Sequence, residues 1–413
     1  MNQEKTRLHS GIIPLMAISG GVMIANIYYN QPILKEIGVS VNTSEAAIGK
    51  IAMLSQLGFG LGMFFLLPLG DKLKRKNLII FLAACLALTL TGFTFASTPA
   101  QVYVLSFFIG LFSTPAQIIL PMAATLDSTN RGKTVGRVFS GILVGILGAR
   151  VLSGLISEWL GWRYVYGISA MMVSIVAILL KLFLPDVAPK FKGNYFKLLQ
   201  STLSLIREYR LLRQAALLGS LTFGVFCSFW TTLTFHLVSA PLHYSPGTIG
   251  SFGLIAIGGA LVAPYFGKLA DKGNIYKSLL ITVGLVIGSV ILIKIFPYSF
   301  VALIVCIFFL DIGVQATQIT NFARIYSLHE HAHSRLNTIY MTTYFIGAAI
   351  GTYFGLLSWK TGGWSLSTWQ MLLWGTGALS VVIISERVNA KHLKHSAAAA
   401  ESRDFSPPNV VNS

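Results

Sequence analysis

From residue 11 to about residue 388 the chain alternates long apolar runs with short polar segments rich in lysine and arginine. The runs are continuous over about 20 residues, the length a helix needs to cross a bilayer. Membrane strands would instead show alternation within segments of about 10 residues, and runs such as Leu78 to Phe95 or Leu279 to Phe296 show none. A helix satisfies its own backbone hydrogen bonds in lipid, so the pattern predicts an all-α integral membrane protein. Twelve spans are expected, near 11–34, 46–69, 77–97, 101–126, 135–158, 163–184, 214–237, 247–268, 277–296, 299–326, 337–359 and 364–386.

The chain also repeats itself after about 200 residues. Leu67-Pro-Leu-Gly-Asp71-Lys72-Leu-Lys74-Arg75-Lys76 has a counterpart in Gly267-Lys-Leu-Ala-Asp271-Lys272-Gly273, and Gly148, Gly154 and Trp162 have counterparts in Gly351, Gly355 and Trp364. The repeat divides the chain into an N-terminal segment 1–10, a six-helix half 11–184, a basic linker 185–213, a second six-helix half 214–388, and a tail 389–413 that reads as disordered. In the linker, Phe191, Tyr195, Leu198, Leu199, Leu203, Leu205 and Ile206 interleave with basic residues, the pattern of an amphipathic surface helix or of a solvated connection.

Composition sharpens the same picture. Only 11% of residues are charged and 54% are hydrophobic, against about 25% charged in soluble domains. The net charge of +17 does not point to nucleic acid, because the cations sit in short clusters between apolar runs and form no basic domain. Of the 31 Lys and Arg, Arg150 and Lys181 lie within runs, and Lys35, Lys50, Arg163, Lys294 and Lys360 fall on one side. The remaining 24 fall on the other, which the positive-inside rule makes cytoplasmic, with both termini. The first apolar run exceeds a signal-peptide core of roughly 7–15 residues and reads as a retained span. Cys85, Cys227 and Cys306 lie in apolar runs as small packing residues. No phosphate-binding loop ending in Lys-Ser/Thr and no hydrolytic constellation is visible, and no cofactor is expected. His329-Glu330-His331-Ala332-His333 has metal-binding residue types but reads as a solvated loop.

Twelve spans in two halves, a basic middle loop and a doubled Asp-basic turn together resemble the major facilitator superfamily, over the chain up to about residue 388. The family's turn is Gly-x-x-x-Asp-Arg-x-Gly-Arg-Lys; this chain keeps Asp71, Arg75 and Lys76 and departs at Leu67, Lys72 and Lys74. The resemblance implies the family's fold of two pseudo-symmetric six-helix halves. It also implies a cytoplasmic gate in which Asp71, Arg75, Asp127, Arg131 and Asp271 exchange partners, although the cations can also serve only as topological anchors. Gly141, Gly145, Gly148 and Gly154 in the fifth span look like the glycine-rich motif of the drug and metabolite efflux branch, without its proline. Asn26-Ile-Tyr28-Tyr29-Asn30-Gln31-Pro32 looks like a signature of uncharacterised bacterial members.

Charges within a span are functional candidates, because each costs about 2.5–3.5 kcal/mol at mid-bilayer. Arg150 in the fifth span and Asp311 in the tenth are the two that stand out, one in each half. They can form a coupling element with Asp311 as the titrating member, a static ion pair, or a site in which Arg150 holds an anionic substrate. In the resembled fold the first, fourth, seventh and tenth spans line a central cavity, which assigns Asn26, Tyr29, Asn30, Gln117, Trp230, Thr231, Gln315 and Gln318 to the substrate. Many drug–proton antiporters of the efflux branch carry an acid in the first span, where this chain has Asn26.

The expectation is a monomeric secondary transporter, not an enzyme, in the bacterial inner membrane. It would move a small organic molecule by alternating access, by proton-coupled efflux or, alternatively, by uptake of a small metabolite or organic anion. Membrane lipid, protons and the substrate are its expected partners.

Overall fold

The computed structural model describes residues 11–127, 131–187, 189, 193–256, 258, 275–329 and 332–404, with backbone only at 131, 132 and 388–404. Among them, nine helical stretches are long and apolar enough to cross a membrane. The last, His333–Arg387, is two helices meeting where Gly362 and Gly363 leave helical geometry. The shorter Ile12–Ala25 forms the first span, and the expected eighth opens with the helix Pro246–Ser251, most of its remainder lying outside the described residues. The seventh span starts at Arg210, slightly ahead of expectation. The last helix runs to Asp404, through the stretch that composition assigns to a disordered tail; its Ala397–Ala400 run consists of the strongest helix former.

The two halves repeat in three dimensions. Gly161 and Gly363 both adopt positive φ, +98° and +58°, each just before the tryptophan that opens the next span, Trp162 or Trp364. Only glycine takes that conformation without penalty, so the two turns fix the fifth-to-sixth and eleventh-to-twelfth connections alike. Gly145 packs backbone to backbone on Gly21, and Gly351 on Gly224, bringing the first and fifth spans, and the seventh and eleventh, to the close approach that small residues permit. Local signals set the ends: Thr98 and Gln101 form a capping box at the fourth span, and Ser299 caps the tenth.

The outer surface suits lipid. Leu88, Trp159 and Leu373 are each at least 70% exposed, which no aqueous surface of this breadth would favour. The linker forms a helix, Tyr195–Glu208, that buries Leu198, Leu199 and Leu205 and exposes Phe196 and Leu203. It ties to both halves, through Tyr195 Oη donating to the carbonyl of Phe65 at 2.5 Å and Arg335 donating to Ser201 at 3.4 Å.

The halves meet along two crossings, the second span with the eleventh and the fifth with the eighth. Gly60 lies against Phe345 in the first crossing, and Gly154 against Pro246 and Gly250 in the second. Hydrogen bonds join them from mid-span to the end away from the basic clusters. Thr352 donates to Gln56 at 2.9 Å, Trp359 Nε1 to Glu45 at 3.0 Å, and the Gly247 amide and Ser245 hydroxyl to Glu158 at 2.9 and 3.1 Å. At the basic end no direct hydrogen bond between the halves is found among the described residues.

Candidate functional site

The first span is where the chain departs most from a straight helix. Its α-helix ends at Ala25, and the amides of Ile27, Tyr28, Gln31 and Ile33 bond three residues back. Pro32 sits in the resulting 3-10 turn, Gln31–Ile33. Three residues per turn stack positions i and i+3 on one face. Tyr28 and Gln31 therefore point together, and Asn26 and Tyr29 point together in another direction.

Arg150 reaches the first of these faces from the fifth span. It is 1% exposed, and its Nε donates to Gln31 Oε1 at 2.6 Å. Its guanidinium lies 4.2 Å from the Trp230 ring centre, 5.3 Å from Tyr28 and 5.6 Å from Phe226. Such stacking offsets part of the cost of burying the cation. Both Nη atoms are buried with no hydrogen-bond partner. Gln31 in turn ties the halves together, its carbonyl accepting from Thr234 at 2.8 Å.

Asp311 lies opposite, in the tenth span, also 1% exposed, with Oδ2 buried and unpartnered. The two charges feel each other electrostatically but form no ion pair within 4.0 Å; the described residues place such pairs only at Asp71–Arg75 and Lys74–Asp186. Buried, unpaired polar atoms are rare in native structures and call for an explanation. Asn30 Oδ1, Trp230 Nε1, Thr231 Oγ1 and Thr342 Oγ1 are likewise buried without partners, and the Trp230 ring lies against Arg150. The arrangement offers a donor fork, an acceptor and aromatic walls where the two halves face each other.

Other candidates are engaged elsewhere. Asn26 accepts from Ser169 of the sixth span at 2.7 Å and donates to Val22 and Met23 carbonyls. Tyr29 turns to the same serine. These two bind the first span to the sixth and are not grouped with Arg150. Gln318 donates to Met341 Sδ at 3.6 Å, while Gln117 and Gln315 are half-buried. Tyr28 and Gln31 belong to the Asn26–Pro32 signature but not to the cavity residues expected from sequence; the signal for their placement is Pro32, one residue after Gln31.

At the basic end, Arg75 binds Asp71 at 2.9 Å, the Gly70 carbonyl at 3.1 Å and Thr125 at 3.4 Å, linking the second, third and fourth spans. Asp127 accepts from Thr134 at 2.7 Å. The Arg131 side chain and all of Asp271 lie outside the described residues. His333 contacts the Tyr326 carbonyl at 2.8 Å; Glu330 and His331 are outside the description.

Two helical halves, each burying one charge near their junction, fit a membrane transporter. The chain belongs to the Major Facilitator Superfamily, whose family profile matches residues 16–352. An uncharacterized transporter of Escherichia coli O157:H7, YgaY, is 37% identical over 366 residues, covering 88% of this chain and 93% of its own. Probable transporter SCO4007 of Streptomyces coelicolor is 26% identical over 374 residues, covering 89% and 87%. Among solved structures, nucleoside transporter NupG superposes with a TM-score of 0.69 at 16% identity, covering 90% of this chain and 98% of that one. A bacterial homologue of the human lysosomal transporter Spinster, inward-facing and occupied, gives 0.71 at 12% identity, covering 92% and 97%. At such identities the likeness speaks for the fold.

Proposed function

We propose that this protein is a proton-coupled exporter of a small organic molecule, working as a monomer in the bacterial inner membrane with both termini cytoplasmic. The observation that carries the reading is the pair Arg150 and Asp311: buried in opposite halves, mutually attracted and not bonded to each other. An arginine keeps its proton, so Asp311 is the member that can exchange one. Rocking of the halves about the site exposes it to each side in turn.

On the positive-inside rule the basic clusters face the cytoplasm, so the hydrogen bonds between the halves among the described residues, at Glu45, Gln56, Glu158 and Gln31, hold the outer end closed. Asp71, Arg75, Asp127 and Arg131, with Asp271 in the second half, form the gate that closes the cytoplasmic end in the alternate state. Gln31, Tyr28, Trp230 and Thr231, with Asn30, Gln117, Gln315 and Gln318 from neighbouring turns, line the path of the substrate.

Uptake of an organic anion is the second reading, favoured by the two unpartnered Nη atoms of Arg150. Vesicles separate the two. In everted vesicles with an acidified lumen and a trapped pH dye, an exported compound discharges the gradient when added outside. The panel would hold cationic dyes, sugars, amino acids and organic acids. Discharge confined to right-side-out vesicles, with substrate and proton moving inward together, overturns export.

A further inference from the structure

The polar atoms around Arg150 and Asp311 carry information about what binds them. Arg150 spends its Nε on Gln31 and one face on Trp230, which leaves the two Nη atoms as an end-on fork. Two parallel N–H donors of this kind match a carboxylate. Asp311 Oδ2 is an acceptor with nothing to accept from, and a protonated amine supplies donors of matching charge. Tyr28, Phe226 and Trp230 pack their rings around the same guanidinium.

Charge balance narrows the choice. With Asp311 ionised the empty site is neutral overall, one cation and one anion. A singly charged guest would leave a net charge in the bilayer interior, where each uncompensated ion is expensive. A guest carrying both charges pairs each protein group and keeps the sum at zero. A neutral polar guest would leave both protein charges unpaired.

We infer that the substrate is a small zwitterion with a carboxylate and a protonated amine, of the amino-acid class. The carboxylate binds the Nη fork of Arg150, the ammonium binds Asp311, and an apolar side chain lies against Tyr28, Phe226 and Trp230. This rests on the transport reading above and adds a coupling rule to it. The ammonium and a proton compete for Asp311, so release of substrate outside vacates the carboxylate for one proton. The returning site then carries one proton inward, at the cost of one uncompensated charge that the inward proton gradient drives across.

Thermal unfolding of the purified full-length protein tests the class without knowledge of the natural compound. The probes are L-phenylalanine and L-leucine as zwitterions, 3-phenylpropanoate with the carboxylate alone, and 2-phenylethylamine with the amine alone. Binding to the native state raises the unfolding temperature. At least one zwitterion is expected to stabilise the protein, with its singly charged counterparts weaker by about tenfold or more, the factor that 1.4 kcal/mol gives. In Asp311→Asn the advantage of phenylalanine over phenylpropanoate should vanish, an effect that loss of general stability would not produce. Equal or tighter binding of a singly charged probe, or no response to either zwitterion, overturns the assignment. Failure of the transport reading looks different: zwitterion binding would persist, but reconstituted vesicles preloaded with the same zwitterion would show no counterflow.

Discussion

Replacing Gln31 with alanine removes the side-chain hydrogen bond that positions Arg150. The bond is 2.6 Å long, between groups that are 1% and 2% exposed. Hydrogen bonds to charged groups contribute about 1.5–3 kcal/mol. Both Nη atoms already lack partners, so Gln31→Ala strips the guanidinium of its hydrogen bonds and leaves it held by ring faces. A loss of about 2–3 kcal/mol follows from that range. For a unit of 150–250 residues, the size of one half, each kcal/mol shifts the midpoint by about 2–4 °C, so unfolding in detergent should fall by roughly 4–12 °C. The bond from Thr234 goes to the Gln31 backbone carbonyl and survives the substitution, which isolates the side-chain effect. Gln31→Glu restores an acceptor and should recover most of the loss. An unfolding midpoint for Gln31→Ala equal to wild type, with transport intact, would refute the reasoning about Arg150.

The gate and the ring wall give further expectations. Asp71→Asn breaks a partly shielded pair at 2.9 Å and should slow substrate counterflow severalfold, whereas Lys74→Ala, whose pair with Asp186 is 55% exposed on both sides, should change stability by less than about 0.5 kcal/mol. Trp230→Ala removes the nearest ring from Arg150 at 4.2 Å and should cost about 1–2 kcal/mol beyond the lost packing, with Trp230→Phe keeping much of it, as read by unfolding midpoints. Gly154→Val places a side chain against the backbone of Pro246 and Gly250 in the other half; it should hold the closed end ajar and speed labelling, by a membrane-impermeant maleimide, of a cysteine placed at Ser245.

Much of the architecture is written in the hydropathy pattern, because a span in lipid has to be apolar over its whole length and charge has to gather at its ends. Arg150 and Asp311 stand out in sequence for the same reason: the solvent makes any charge at depth conspicuous. The details of the first span are not legible that way. Asn26, Tyr29 and Asn30 form one stripe on an α-helix, but the turn before Pro32 winds at three residues and sends Tyr28 and Gln31 to Arg150 instead. Amides also read ambiguously. Asn26 is occupied by Ser169 and Gln318 by Met341, contacts between helices that depend on rotation about each axis and leave no trace in the order of residues.

The claim that Asp311 exchanges the coupling proton is tested most directly by Asp311→Asn in sealed proteoliposomes. The readout is proton flux through a trapped pH dye, alongside counterflow of a compound from the vesicle panel that wild-type protein transports. The account predicts that a pH gradient no longer drives accumulation in this variant and that added substrate no longer moves protons. Full gradient-driven transport by Asp311→Asn would contradict it.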